Sequence, residues 1–194
     1  MLTNHEHPPS GWVRRFLPLI RRGGKALDLA AGGGRHTRLF LDMGLQVTAV
    51  DRNVEALLPL AGPHCTISQV DLENGTAWPL GGGYDAIVVT NYLHRPLFPA
   101  IREALAVQGV LIYETFAVGN ERLGRPSNPD FLLRPGELLE AFAGLTVVVF
   151  EQGEVTHPRP AVIQRIAAVN GPLGRLPDLA ATLRPAAGEP APAA

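Results

Sequence analysis

The sequence predicts one α/β domain. Its expected core is a doubly wound, mostly parallel sheet of seven strands, the last antiparallel. Three observations support this. Short β-branched and apolar runs alternate with helical patterns. Acidic residues fall in or just after the first three runs, at Asp28, Asp51 and Asp71. The last two strand-like runs follow each other with no helical pattern between them, so they are expected to pair antiparallel.

The elements follow in order. Trp12, Val13, Phe16, Leu17 and Ile20 recur at helical spacing across residues 12–22, and Pro18 and Gly23-Gly24 limit that helix. Lys25–Leu29 is a short buried strand, followed by the small residues Ala30 to Gly34. Residues 35–44 read as a helix closed by Gly44. A β-branched strand over 46–50 ends in Asp51, a short helix is expected over 53–60, and a third strand over 65–70 ends in Asp71. Tyr84–Thr90 is the fourth strand, 96–106 a helix stopped near Gly109, and 110–114 the fifth strand. A turn-rich stretch covers 115–134, a helix 135–143, and the last two strands 145–151 and 162–170.

The 194 residues suit a single domain with ragged ends: a flexible N-terminus over 1–11, a core over 12–171, and a Pro/Ala-rich tail over 172–194 whose end is disordered. The net charge of −1 gives no basic field for nucleic acid. A single cysteine, Cys65, excludes a disulfide framework or a multi-cysteine metal site. His5 and His7 lie in the polar N-terminus, and no metal is expected there. No apolar run approaches 18 residues and no signal peptide is visible, so a cytoplasmic protein with no membrane partner is expected.

Ligands of open parallel sheets bind at the C-terminal strand ends, near the point where strand order reverses. A dinucleotide would want G-x-G-x-x-G there, but Thr37 stands at the third glycine and Asp28 would repel a pyrophosphate. S-adenosylmethionine carries an ammonium and a sulfonium and no phosphate, so acids beside the loop favour it. Asp51, 23 residues after Asp28, is well spaced to accept both ribose hydroxyls.

At this point a family resemblance emerges. Leu27-Asp28-Leu29-Ala30-Ala31-Gly32-Gly33-Gly34 resembles the D-x-G-x-G-x-G motif of class I S-adenosylmethionine-dependent methyltransferases, with Ala30 at the first glycine. Val50-Asp51, Val70-Asp71-Leu72, the fourth strand Tyr84 to Val89, and Gly109 to Ile112 resemble the later motifs in order. The resemblance covers roughly residues 24–170 and is similar in its compact plan to the tellurite-resistance type. Alanine is nearly as small as glycine, and only a positive φ at that position would separate the two.

By position, the resemblance implies that Asp28 binds the methionyl amino group and that Ala30, Gly32 and Gly34 approach the cofactor through backbone. Asp51 would hold the ribose, Arg52 flank the adenine, and Asp71 and Leu72 hold it. Thr90 and Asn91 would border the transferring methyl.

On the acceptor side, Asn91-Tyr92-Leu93-His94-Arg95 follows the fourth strand and is not the D/N-P-P-Y/F motif of amino-methylating nucleic-acid enzymes. His94 follows the fourth strand and Glu114 ends the fifth, and histidine and carboxylate side chains serve as general bases, so both are candidate catalytic residues. Tyr92, Arg122 and Arg125 are candidate acceptor-binding residues, with Asn120, Glu121 and Arg159 nearby. Stretches as long as 115–134 are usually functional or disordered. The expected activity is methyl transfer to a small, polar or anionic acceptor. An RNA or protein methyltransferase and a non-catalytic cofactor-binding protein are the alternatives, with nicotinamide-dependent oxidoreduction last.

Overall fold

The computed structural model describes residues 8–173 except Thr76. The expectations for residues 1–7 and for the tail from 174 onward lie outside the described residues. The seven strands are β1 Lys25–Leu29, β2 Gln46–Asp51, β3 Cys65–Gln69, β4 Tyr84–Thr90, β5 Leu105–Phe116, β6 Thr146–Val155 and β7 Ala161–Val169. Their spatial order is β3-β2-β1-β4-β5-β7-β6. Strands β1 to β5 pair in parallel, and β7 lies antiparallel between β5 and β6. Strand order reverses between β1 and β4, which places the switch point beside the glycine loop.

The helices are α1 Gly11–Phe16, α2 Arg35–Asp42, α3 Phe98–Ala104 and α4 Glu137–Ala141. Period-two alternation sorts each central strand between two cores. On one face Trp12, Val13 and Phe16 of α1 and Phe40 of α2 pack on Ala26, Ala86, Val88, Val110 and Ile112. On the other, Phe98 and Ile101 of α3, Leu138 of α4, and Phe142 pack on Leu27, Leu29, Ile87, Val89, Leu111 and Tyr113. Asp28 shares the α1/α2 face with Ala26, so a carboxylate enters a layer that is otherwise apolar.

Several elements differ from expectation for identifiable reasons. The expected helix over 53–60 is only a 3-10 turn, Leu58–Leu60. Asp51 and Asn53 accept the N–H groups of Asn53 and Glu55, which favours turns over a first helical turn, and Pro59 follows. The first helix ends at Phe16 and passes into a 3-10 turn, Leu17–Leu19, at Pro18. Strand β5 begins five residues early. Leu105 pairs with Tyr84, and after a register shift Val110 pairs with Ala86. Residues 8–11 are tied down: the Ser10 hydroxyl caps α1 by accepting from the N–H groups of Trp12 and Val13. Among the described residues no helix is long and apolar enough to cross a membrane.

The segment after β4 is locked to the segment after β5 by one arginine. Arg95 donates to both oxygens of the buried Glu137 carboxylate (2.6 and 3.0 Å) and to the carbonyls of Asp130 and Leu132. Burial works against that carboxylate, but the Arg95 bonds and the Arg134 N–H outweigh it and hold its pKa below the usual range. A carboxylate with a depressed folded pKa stabilises the fold above its unfolded pKa, and the contribution fades as pH falls through the folded value. Arg95→Ala should therefore cost about 2–4 kcal/mol at pH 7, because it strands a buried charge that Arg134 only partly compensates. Urea unfolding should show the deficit shrinking below pH about 4.5.

Candidate cofactor and acceptor site

The loop between β1 and α2 takes left-handed backbone at alternate residues: φ is 54° at Ala30, 55° at Gly32 and 75° at Gly34. Ala30 thus adopts the conformation that favours glycine, at a strain of about 1–2 kcal/mol. The surroundings over-determine it, since the Ala31 N–H bonds to the Val50 carbonyl and the Gly34 N–H to the Ala31 carbonyl (both 2.9 Å). A Cβ on Gly34 would lie 2.7–2.8 Å from Leu60 and Leu57, whereas one on Gly32 would project into open space. Asp51 accepts the Gly32 N–H at 2.8 Å and the Asn53 N–H at 3.0 Å. A cavity of about 640 Å³ opens here, lined in part by Gly32, Gly33, Arg38, Asp51, Asn53 and Glu55.

Asp28 is 2% exposed and accepts the Thr37 hydroxyl proton at 2.6 Å. Burial pushes its pKa up to about 6, against the pull of Thr37 and Arg35. Thr37, the residue that breaks the dinucleotide pattern, is thus the partner of this carboxylate. The sequence reading missed Arg35. Its guanidinium donates to the Pro8 carbonyl at 3.2 Å and lies 3.5 Å from the Thr90 hydroxyl. Among the described residues no carboxylate pairs with it within 4 Å, although Glu114 and Asp28 lie in its field. An arginine immediately after a glycine loop was the available signal.

On the side of β2 and β3, Asp71 is exposed and accepts the Glu73 N–H, while Leu72 packs against the core. Arg52 is exposed, and its carbonyl accepts from Gln69. Tyr92 was expected to face the acceptor. Burial first, then the nearby carboxylates Glu73, Asp71 and Asp51, push its pKa far above the usual range, which instead places the hydroxyl near the acids after β2 and β3. The chain turns sharply at Asn91 (φ 55°), whose N–H bonds to the Glu114 carbonyl, and this swings Tyr92 toward the acids after β2 and β3. Thr90 ends β4, half-buried beside Arg35.

His94 is half-buried, and its ring has no hydrogen bond among the described residues. Glu114 is less free than a general base should be. Its side chain, 15% exposed, accepts the Ser10 hydroxyl proton and lies 3.7 Å from Arg165. Ser10 also donates its N–H to His36 Nε2 at 3.1 Å, and burial, helped by Arg35 and Arg14, pushes that imidazole down to about 3. His36 is therefore a neutral acceptor at physiological pH.

The stretch after β5 is ordered by its own polar groups. Asn120, 2% exposed, accepts the Val162 N–H and donates to the Pro126 carbonyl, so it holds the loop in place and does not face a ligand. Glu121 accepts the Gly119 N–H. Arg122 is 67% exposed and pairs with Glu154 of β6 at 3.2 Å. Arg125 shares a separate hollow with Arg159. Among the described residues no cluster of three or more His, Cys, Asp or Glu could hold a metal ion.

Asp28 supplies a pH test. A carboxyl whose folded pKa is raised is protonated more readily in the fold. Its favourable contribution is complete below the ordinary 3.8 and is lost as pH rises through about 6. Asp28→Asn keeps an acceptor for Thr37 without the charge. The unliganded variant should be more stable than the parent by about 1–3 kcal/mol at pH 8 and indistinguishable at pH 3.5, as read by chemical unfolding.

No family model matches the sequence, and no curated relative matches it. Solved structures do. TehB from Haemophilus influenzae superposes with TM-score 0.66 at 17% identity, covering 82% of this chain and 61% of that one. An S-adenosylmethionine-dependent methyltransferase from Mesorhizobium loti gives 0.62 at 17%, over 83% and 98%. The Burkholderia thailandensis 1,6-didemethyltoxoflavin-N1-methyltransferase, with its acceptor and S-adenosylhomocysteine bound, gives 0.61 at 20%, over 82% and 76%. The [4+2]-cyclase SpnF also superposes, at 0.59 and 14% identity over 76% and 74%. At these identities the likeness establishes architecture, and the chain has the Rossmann-like fold of class I S-adenosylmethionine-dependent methyltransferases, TehB-like structures among them.

Proposed function

We propose that the chain is an S-adenosylmethionine-dependent methyltransferase acting on a small, polar or anionic acceptor. The observation that carries this reading is the set of carboxylates around an open glycine loop: Asp28 and Asp51 at the strand ends, Glu55 on the cavity wall, and Asp71 and Glu73 beyond. Such a site repels a pyrophosphate and suits a cation that carries ribose hydroxyls. When bound, S-adenosylmethionine would supply an electrophilic methyl group on its sulfonium.

The chain's own residues divide the binding work. Asp28 receives the amino group, and the unpaired guanidinium of Arg35 receives the methionyl carboxylate. Asp51 accepts from the ribose while holding Gly32. Ala30, Gly32 and Gly34 bring backbone close, and Arg52, Asp71, Leu72 and Tyr92 border the adenine. Thr90 and Asn91 lie at the methyl. Displacement at carbon depends mainly on alignment and exclusion of water. Where the acceptor must lose a proton, His94 is better placed to take it than Glu114, because its ring is uncommitted. A small acceptor fits a chain whose connections after β4 and β5 are short turns and helices with no inserted domain. The relative from Burkholderia thailandensis methylates a small heterocycle, in keeping with that scale.

Calorimetry with the full chain should detect S-adenosylmethionine binding and no NAD binding. Asp51→Ala should weaken the cofactor by about 1.5–3 kcal/mol, roughly ten- to a hundred-and-fifty-fold, with the circular dichroism spectrum retained. Unchanged affinity would remove Asp51 from the site. Gly32→Val places a branched side chain in the open space beside Asp51 and should abolish binding, and a variant that binds normally would show that the cofactor lies elsewhere.

A further inference from the structure

A second hollow, of about 470 Å³, lies between the stretch after β5 and the β6–β7 turn. Arg125, Ser127, Asn128, Phe131 and Arg159 contribute to its lining. Two arginines face it and no acidic residue lines it. Among the described residues neither arginine forms an ion pair, unlike Arg122, which is neutralised by Glu154. The planar guanidinium matches a carboxylate or phosphate through paired N–H donors. The walls are built independently of any ligand. Asn120 bonds the Pro126 carbonyl, Asn128 accepts the Asp130 N–H, Arg95 fixes the carbonyls of Asp130 and Leu132, and Arg159 sits 5.4 Å from the Phe116 ring. Phe131 presents a half-exposed ring to the same space.

The topology puts this hollow on the working edge of the sheet. Phe116 at the end of β5 pairs with Ile163 near the start of β7, so the β6–β7 turn lies at the same end as the C-termini of β1, β4 and β5. From β4 to β7 is two strand spacings across the sheet, about 10 Å, and Arg159 lies just beyond the start of β7.

We propose that this hollow is an anion site for a carboxylate or phosphate carried on a flat ring. It would take the acidic end of an acceptor whose nucleophilic atom reaches toward the end of β4. Arg125 and Arg159 grip the anion, Phe131 covers the ring, and Ser127 and Asn128 complete the polar contacts. The placement of the nucleophile rests on the methyltransferase reading, whereas the anion site itself does not.

Phenyl phosphate and benzoate serve as probes, each titrated against the full chain by saturation-transfer NMR, with benzyl alcohol as the neutral counterpart and inorganic phosphate as the ringless one. Saturable binding of one or both aromatic anions is expected, and which of them binds more tightly identifies the acid. Benzyl alcohol and inorganic phosphate should bind at least tenfold more weakly. The double variant Arg125→Ala/Arg159→Ala should lose tenfold or more in affinity for the aromatic anion, while Arg122→Ala retains it. Lack of saturable binding, equal affinity in the double variant, an equal loss in Arg122→Ala, or competition by inorganic phosphate at the same concentration would each overturn the proposal. S-adenosylmethionine titrated into the same samples separates the two readings. Loss of cofactor binding in the parent chain would sink the methyltransferase reading, and a tenfold loss in the double variant alone would place the arginines in the cofactor site and overturn the anion site.

Discussion

One carboxylate organises the cofactor end of this fold. Asp51 accepts the N–H of Gly32 from the loop after β1 and the N–H of Asn53 from the turn after β2. The first bond holds Gly32 in a loop in which Ala30, Gly32 and Gly34 are all left-handed. The second favours a turn over a helix in the next connection, and that turn places Leu57 and Leu60 against Gly34. The cavity lies between these two products of a single side chain. A charged acceptor binding two backbone N–H groups is worth more than a neutral one, which is why an acid serves here better than a neutral side chain.

A chain of alternating charges secures the opposite flank. Glu114, Arg165 and Glu151 lie side by side in register on β5, β7 and β6. Arg15 from α1 joins Glu151, Ser10 joins Glu114, and the Arg165 guanidinium lies 4.5 Å from the Trp12 ring. Because these charges are shielded by α1 and one another, they are less screened than free surface pairs. Their effect is to hold the N-terminal segment across the strand ends, where Pro8 meets Arg35 and Ser10 meets His36. Glu114 is therefore part of the frame that holds the N-terminal segment beside the glycine loop.

Both signs of charge meet along the working edge. Carboxylates gather at the ends of β1, β2 and β3 with Arg38 and Arg52 among them, and among the described residues Arg35, Arg125 and Arg159 form no ion pair. Asp28 is maintained against its own desolvation, a cost that packing alone would not preserve.

The strand count, the parallel core, the antiparallel last strand and the strand-end acids were legible in the sequence, because each depends on local periodicity or on a short motif. Asp28, Asp51 and the glycine loop were singled out for the same reason: a short motif marks their places in or just after a strand. What only the tertiary structure decided were matters of orientation and partnership. Tyr92 follows the left-handed Asn91 and lies near the acids after β2 and β3, Arg122 pairs with Glu154 while Arg125 and Arg159 line one hollow, and Glu114 meets Ser10 and Arg165. Each depends on a residue far away in the chain, and sequence spacing carries no record of which charged groups meet in space. Arg35 shows the same limit: one of sixteen arginines in the sequence, it gains meaning only where the loop sets it among Pro8, Thr90, Asp28 and Glu114 with no carboxylate to pair it.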